Sequence, residues 1–191
     1  MTKGRLEAFS DGVIAIIITI MVLELRPPHG AALEDLGPLW PTFFSYLLSF
    51  ALLATWWANH HHLLHTATAV NGLVLWANVH LLFWLSLFPF GTAWVGETQF
   101  APIPVALYGV LLLLAALAYY GLVRALVRVR DQTPTLAAAV GRDVKGKVSP
   151  ILFAVAIPIA LVVPAAALAL YVVVVILWIV PDRRMERAVE R

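Results

Sequence analysis

Polar and charged side chains that can bind ions or one another are concentrated at the start of the first long apolar segment of this sequence. Arg5, Ser10 and Asp11 precede an isoleucine-rich run, and Thr19 supplies a hydroxyl inside that run. A serine oxygen can cap a helix, and a carboxylate is favoured near the positive end of a helix. A helix that only anchors a protein in lipid needs none of these groups. The pattern therefore indicates that the first segment does more than anchor the chain.

Asp11 is expected to need a partner. If the segment crosses a membrane, an ionised side chain at its boundary costs a few kcal/mol unless it is paired. Polar groups of the second apolar segment can supply that partner, and the candidates are Asn59 with His60 or His61. A structural hydrogen-bonded network is our prediction, and direct contact of these side chains with ions is the alternative.

Three branched apolar residues of the first segment share one helical face. Ile16, Ile20 and Leu23 follow the spacing i, i+4, i+7, and Thr19 lies at the edge of their face. Side chains of this kind usually contact lipid or a neighbouring helix. The periodicity alone therefore predicts a common face and assigns it no further role.

A histidine cluster, His60 to His62 with His65, lies on the second segment. His61 and His65 are four residues apart and share a helical face, which permits adventitious metal binding. However, the glutamate of a His-Glu-x-x-His zinc helix is absent. We therefore predict no metal site and no catalytic residue. We expect His80, in the third segment, to face the helix bundle and form a hydrogen bond.

The composition restricts the chain to the class of polytopic membrane proteins. Hydrophobic residues make up 62% of the sequence and charged residues 13%, with a mean hydropathy of +0.89. A soluble domain contains about half apolar residues. The chain has no cysteine, which excludes disulfides, thiolate catalysis and cysteine-ligated zinc. Glycine-rich phosphate loops, serine nucleophile elbows and nucleic-acid motifs are also absent, so we expect neither an enzyme nor a nucleic-acid partner.

Hydropathy and the positions of the prolines divide residues 1–191 into one all-α domain of six transmembrane helices. The third helix should bend near Pro89. The last two, separated at Pro164, should form a tight hairpin; a kinked helix with a re-entrant piece is the alternative. The predicted spans are about 7–25, 41–65, 73–94, 102–124, 148–163 and 165–180.

The basic residues predict the orientation of these spans. With six spans and a cytoplasmic N-terminus, the inside segments are the N-terminus, 66–72, a loop at about 124–147 and the tail 182–191. They hold twelve of the 13 lysines and arginines, and only Arg26 falls outside. The positive-inside rule therefore places both termini in the cytoplasm. The basic loop is predicted to be a solvated segment, and binding of anionic lipid or a partner is the alternative.

Several motifs resemble the transmembrane protein 175 family, the endolysosomal potassium channels and their bacterial relatives. The likeness extends over roughly residues 3 to 96. It rests on Arg-x-x-x-Phe-Ser-Asp-Gly at Arg5–Gly12, Trp57–His62, Leu75–Asn78 and Leu87–Phe90. Beyond these residues only the hydropathy agrees.

The resemblance implies a bacterial plasma-membrane channel that conducts K⁺ passively, selects potassium and needs no cofactor. It places Ile16, Ile20 and Leu23 at a hydrophobic constriction, and Thr19 where a hydroxyl replaces part of the ion's water. The carbonyl filter Thr-Val-Gly-Tyr-Gly is absent, so selectivity should be modest. By the same resemblance, a network at the cytoplasmic end of the pore helix would comprise Arg5, Phe9, Ser10, Asp11, Asn59, His60 and His61.

The resemblance also implies an oligomer. The Phe-Ser-Asp-Gly motif occurs once here, whereas animal members resemble two six-helix units fused in one chain. One first helix cannot enclose a pore, so a closed cyclic oligomer is required. Four copies match a dimer of two-unit relatives, which predicts a homotetramer among membrane lipids.

Two other functions are compatible with the residues. A proton-coupled secondary transporter could use Asp11 or a histidine, although such proteins usually contain inverted repeats and broken helices near the midplane. A membrane enzyme or haem protein could use the histidine cluster. Saturating flux would indicate the transporter, and an absorption spectrum would reveal haem.

Overall fold

The computed structural model describes residues 2–129 and 144–179, which form helices joined by short turns, with no strand among them. A 3-10 helix at Leu33–Leu39 precedes the second α-helix. The α-helices are α1 (Lys3–Leu23), α2 (Trp40–Thr66), α3 (Gly72–Ser86), α4 (Phe88–Glu97), α5 (Pro102–Val127), α6 (Val144–Val162) and α7 (Pro164–Ile179). The prediction of an all-α protein is confirmed.

Helices α1 to α7 supply the six predicted spans, because α3 and α4 together form one of them. Among the described residues, five segments are long and apolar enough to cross a membrane, and α7 is a shorter apolar helix. Their beginnings follow local chemistry. Pro41 and Pro102 lie in the first turns of α2 and α5, where the missing proline N–H costs no helical hydrogen bond. At the start of α3, the Asn71 side chain accepts a hydrogen bond from the Val74 amide at 3.0 Å.

The predicted bend near Pro89 is confirmed as a break between α3 and α4. Leu87 lies outside both helices, and Pro89 occupies the first turn of α4. A proline cannot donate to the carbonyl four residues before it, so the continuous helical ladder is interrupted there. The span therefore changes direction without a loop.

The predicted hairpin of the last two spans is also confirmed. Val163 alone separates α6 from α7. The indole N–H of Trp178, near the end of α7, donates to Ser149 Oγ near the start of α6 at 2.9 Å. Only an antiparallel pair can bring these two ends together.

Helix α5 occupies the centre of the packed bundle and contacts α3, α4, α6 and α7. Small residues permit this close packing. A Cβ at Gly109 would clash with the Tyr171 hydroxyl oxygen. Helix α1 lies on another side of the bundle, against α2, α3 and α4.

The predicted loop at 124–147 is described only in part. Helix α5 continues to Val127, beyond the predicted end near Arg124, and α6 begins at Val144. The remaining loop residues, 130–143, and the tail 182–191 lie outside the described residues.

Candidate functional site

One face of α1 is exposed along most of its length. Ile16, Ile20 and Leu23 are 58%, 44% and 75% exposed on the protomer, and Phe9 and Thr19 lie on the same side. The Thr19 hydroxyl donates to the Ile16 carbonyl at 2.9 Å. Its hydrogen is therefore used within the helix, and its oxygen lone pairs remain available to a positively charged group.

The opposite face of α1 is buried against the bundle. Leu6, Ser10, Ile14, Ile17 and Met21 are at most 4% exposed. Ile17 is thus buried although its neighbour Ile16 is exposed, as a rotation of about 100° per residue requires. The protomer therefore presents one apolar face of α1 and fixes the other.

A buried chain of hydrogen bonds ties α1 to α2 and α3. His60 Nε2 lies 2.7 Å from Asn78 Oδ1, and the Asn78 amide nitrogen donates to Ser10 Oγ at 2.9 Å. Ser10 Oγ in turn donates to the Leu6 carbonyl at 2.8 Å. His60, Asn78 and Ser10 are all at most 1% exposed. One polar side chain from each helix thus meets its partners away from solvent.

The direction of this chain follows from its last member. A carbonyl oxygen can only accept, so Ser10 must donate to Leu6, and Asn78 must then donate to Ser10. This leaves Asn78 Oδ1 to accept from His60, which requires the His60 proton on Nε2. His60 Nδ1 is buried and has no hydrogen-bond partner among the described residues. His60 consequently depends on Asn78 for its one hydrogen bond.

Asp11 is paired, but not with the residues predicted from the sequence. Its carboxylate accepts a hydrogen bond from Trp57 Nε1 at 2.9 Å. His60 bonds Asn78 instead, and His61 faces Glu7, with 3.4 Å between His61 Nδ1 and Glu7 Oε1. The assignment of His60, His61 or Asn59 as partners of Asp11 was therefore wrong.

Asn59 lies on a different side of α2. Its side-chain amide donates to the Thr55 carbonyl at 2.6 Å, and the backbone carbonyl of Asn59 accepts from the Tyr119 hydroxyl on α5 at 3.3 Å. Asn59 also lines a cavity of about 30 Å³ with Ser149 and Trp178. Such a volume accommodates about one water molecule. This residue therefore stabilises contacts between α2 and α5, away from Asp11.

The contacts between α1 and α2 form a ladder with a period of four residues. Lys3 Nζ donates to the His65 carbonyl at 2.7 Å, Glu7 faces His61, and Asp11 accepts from Trp57. Each step of four residues forward on α1 is matched by four residues backward on α2, which is the register of antiparallel neighbours. Arg5 is exposed and forms no ion pair with any described residue.

The histidines of α2 stack on one another along the helix. The rings of His61 and His65 stack with centroids 6.1 Å apart. In the described parts of the chain, no group of three or more His, Cys, Asp or Glu side chains is placed to hold a metal ion. His80 was expected to face the bundle but is exposed, and its Nε2 accepts from Trp84 Nε1 at 3.2 Å.

A second polar cluster anchors the other end of α1. Thr92 Oγ1 lies 3.7 Å from Met21 Sδ and 2.7 Å from Ser49 Oγ, which is in turn 2.7 Å from the Tyr108 hydroxyl. All four residues are buried. Sequence reasoning missed this cluster because each hydroxyl stands alone within an apolar segment.

Asn78 and Trp57 were also missed as members of the polar network. A signal for both was available in the sequence. Asn78 is an isolated amide in an apolar segment, where a polar group needs a partner. Trp57 precedes His61 by four residues, the spacing that separates Glu7 from Asp11. Matching these two spacings would have indicated the ladder.

A sequence profile described as "Endosomal/lysosomal potassium channel TMEM175" matches residues 5–89. A protein named potassium channel from Chryseobacterium sp. (strain P1-3) is 46% identical over 190 residues, which cover 100% of this chain and 99% of the relative. A mouse protein named endosomal/lysosomal proton channel TMEM175 is 36% identical over 89 residues, covering 39% of this chain and 18% of the mouse protein.

A solved structure has the same fold. It is the crystal structure of a lysosomal potassium-selective channel TMEM175 homolog from Chamaesiphon minutus, with a TM-score of 0.81 and 27% sequence identity. The superposition covers 92% of this chain and 95% of that one. The similarity to that structure therefore extends well beyond the N-terminal motifs.

Proposed function

The chain belongs to the TMEM175 family of endosomal/lysosomal potassium channels, and we propose that it conducts K⁺ passively through a pore lined by α1. The family consists of ion channels and not of enzymes. The observation that carries the proposal is the division of α1 into a buried, anchored face and an exposed apolar face that carries one hydroxyl. The potassium channels named among its relatives support the choice of ion.

We propose that four copies assemble around a central axis, with the exposed face of α1 directed towards it. One α1 cannot enclose a pore, so a closed ring of copies is needed. The structural relative is a channel, which supports an oligomer, and the number four comes from the resemblance to two-unit family members. Both termini would lie in the cytoplasm of a bacterial cell, as the basic residues predict.

The exposed face would then place three apolar rings along the pore. Ile16 and Ile20 are separated by about 6 Å along the helix axis, and Ile20 and Leu23 by about 4.5 Å. Branched apolar side chains offer no oxygen to replace the water of an ion, so a narrow ring of them gates by losing its water. The Thr19 oxygen, facing the same side, would supply the nearest polar atom for a dehydrating cation.

The hydrogen bonds on the buried side would keep these rings aligned. Ser10 and Asp11 hold the N-terminal half of α1, and Met21 contacts Thr92 near the other end. Helix α1 therefore cannot rotate freely about its own axis. Under this proposal the Arg5 to Asp11 motif positions the pore helix and is not itself the selectivity filter.

Reversal potentials in planar bilayers under K⁺/Na⁺ gradients test the proposal. Ile16→Asn would put amide oxygens at the first ring, so the preference for K⁺ should weaken while conductance is kept or rises. Ile176→Asn is the matched control, because Ile176 on α7 is 55% exposed and Ile16 58% exposed. The control should keep wild-type selectivity.

The outcomes separate the alternatives. Unchanged selectivity in Ile16→Asn would exclude the hydrophobic constriction, and an equal change in Ile176→Asn would exclude the assignment of the pore face. A flux that saturates with K⁺ concentration would instead indicate a transporter. Because the mouse relative is named a proton channel, the same bilayers should also be measured under a pH gradient at constant K⁺.

A further inference from the structure

An open groove of about 600 Å³ runs along the outside of the bundle between α3 and α5. Leu117 and Gly121 form part of its α5 wall, and Trp84 lies at its far end. Arg124 and Arg128 line the opposite end, beside the start of α3. The groove is thus apolar along most of its length and cationic at one end only.

The cationic end is able to bind an anion. Both arginines are exposed, and no carboxylate lines the groove in the described part of the chain. The Arg124 guanidinium lies 5.1 Å from the centroid of the Tyr120 ring, which restricts its side chain without neutralising its charge. Two guanidinium groups one helical turn apart suit the oxygens of a phosphate group.

The polar side chains at the apolar end of the groove are Trp84 and His80, and a hydrogen bond joins them. The one indole N–H there, that of Trp84, is bonded to His80 Nε2 at 3.2 Å. A Cβ at Gly121 would meet no protein atom within 4 Å, so the α5 wall is open at this position. This end of the groove therefore has the surface that an acyl chain requires.

The length of the groove matches one leaflet of a bilayer. From Leu114 to Arg128 the chain rises about 21 Å at 1.5 Å per helical residue. Half of a bilayer that is about 40–45 Å thick, headgroups included, is about 20–22 Å. The two arginines would consequently lie at headgroup level when Trp84 and Leu114 lie near the midplane.

We propose that the α3–α5 groove binds one anionic phospholipid. Its phosphate lies between Arg124 and Arg128, and an acyl chain runs past Gly121 towards Trp84. Basic pockets between transmembrane helices bind anionic headgroups in this way. The site is separate from α1, so it does not depend on the proposed pore.

Native mass spectrometry of the purified channel, with added phosphatidylglycerol or phosphatidylcholine, tests the site. Phosphatidylglycerol should bind preferentially. An arginine near an anionic headgroup contributes about fivefold in affinity, so the double variant Arg124→Gln/Arg128→Gln should lose about thirtyfold. Arg26→Gln, an exposed arginine outside the groove, should retain wild-type binding.

Filling the groove tests its apolar part independently. Gly121→Leu should abolish phosphatidylglycerol binding although both arginines remain. Gly37→Leu is the matched control, because a Cβ at Gly37 also meets open space but lies outside the groove. If Gly121→Leu does not fold, Ala77→Leu fills the same groove from α3 and should have the same effect.

Three results would overturn the proposal. Binding that is lost in the arginine variant but kept in both filling variants would indicate charge attraction at the surface only. Equal binding of both phospholipids by the wild type would exclude recognition of the anionic headgroup. A change in the number of copies on filling the groove, with no lipid bound to the wild type, would show that a second copy covers this face.

Discussion

Replacing Asn78 by leucine should destabilise the protein mainly through His60 and only slightly through Ser10. Asn78 accepts from His60 Nε2 and donates to Ser10 Oγ. Without the amide, Ser10 still donates to the Leu6 carbonyl at 2.8 Å and loses only an accepted hydrogen bond. His60 loses its one partner among the described residues, since its Nδ1 is already unpaired.

The expected cost follows from this asymmetry. An unpaired buried donor costs about 1–3 kcal/mol. Hydrogen bonds between membrane helices average about 0.6 kcal/mol and reach about 1.7 kcal/mol, because the unfolded chain in the membrane also finds partners. Leucine has the same branching and the same number of side-chain heavy atoms as asparagine but a larger volume, so we expect no cavity and some crowding at this buried position. We therefore expect Asn78→Leu to lower the free energy of unfolding by about 1–2 kcal/mol, which is about 5–30-fold in the unfolding equilibrium.

A double-mutant cycle with His60→Leu separates the lost hydrogen bond from packing. The single variant His60→Leu leaves Asn78 Oδ1 buried and unpaired, so it should also cost about 1–2 kcal/mol. When both residues are replaced, neither leaves a buried partner unpaired. The loss of unfolding free energy in the double variant should therefore be smaller, by about 1 kcal/mol or more, than the sum of the losses in the two single variants. The unfolding free energies of the two single variants and the double variant can be measured by reversible unfolding in mixed detergent micelles, with circular dichroism as the probe.

Ser86→Ala is the control, because the exposed Ser86 hydroxyl bonds only to the Phe83 carbonyl of its own helix at 2.7 Å. Its unfolding free energy should stay within about 0.5 kcal/mol of the wild type. Additive costs for Asn78→Leu and His60→Leu, within the same margin, would refute the hydrogen bond between the two side chains.

Three further predictions concern the anchoring of α1, the packing of α5 and the topology. Asp11→Ala and Trp57→Phe remove the same hydrogen bond, so each should lower the free energy of unfolding in micelles by about 1 kcal/mol. The two losses should not add in the double variant, and additive losses would exclude the hydrogen bond. Gly109→Ala should lower the free energy of unfolding by about 1–3 kcal/mol in the same assay, because its Cβ meets the Tyr171 hydroxyl. Gly121→Ala should raise it by up to about 1 kcal/mol, because a Cβ there meets no protein atom. Equal effects of the two substitutions would contradict the close packing of α5 at Gly109. A reporter enzyme fused to the C-terminus should be active in the cytoplasm, and periplasmic activity would exclude the predicted orientation.

The helices could be predicted from the sequence because their signals are local. Apolar runs of membrane-spanning length and prolines at the first turns depend only on neighbouring residues, and the break before Pro89 follows from its missing N–H. The face shared by Ile16, Ile20 and Leu23 follows likewise from helical periodicity. Local rules do not fix where a helix ends within a charged segment, which is why α5 runs past Arg124 to Val127.

The partner of Asp11 does not follow from the local rules of a single helix, because it depends on the rotation of α2 relative to α1. Trp57 and Asn59 are two residues apart, so they project about 200° apart around α2. Asn59 was the predicted candidate, yet Trp57 is the residue that turns towards α1. His80 was misplaced for a similar reason: its hydrogen bond to Trp84 forms along the surface of α3, so burial was not needed to satisfy it.

Apolar character alone would not determine which isoleucine of α1 faces the bundle, because Ile16 and Ile17 have the same side chain. The polar contacts supply the distinction. Turning α1 by about 100° to exchange the two would separate Ser10 from Asn78 and Asp11 from Trp57. At about 0.6–1.7 kcal/mol each, these two interhelical hydrogen bonds favour the observed rotation by about 1–3 kcal/mol, or about 5- to 150-fold. The motif around Ser10 and Asp11 therefore determines which apolar side chains remain exposed, even though none of its own hydrogen bonds involves them.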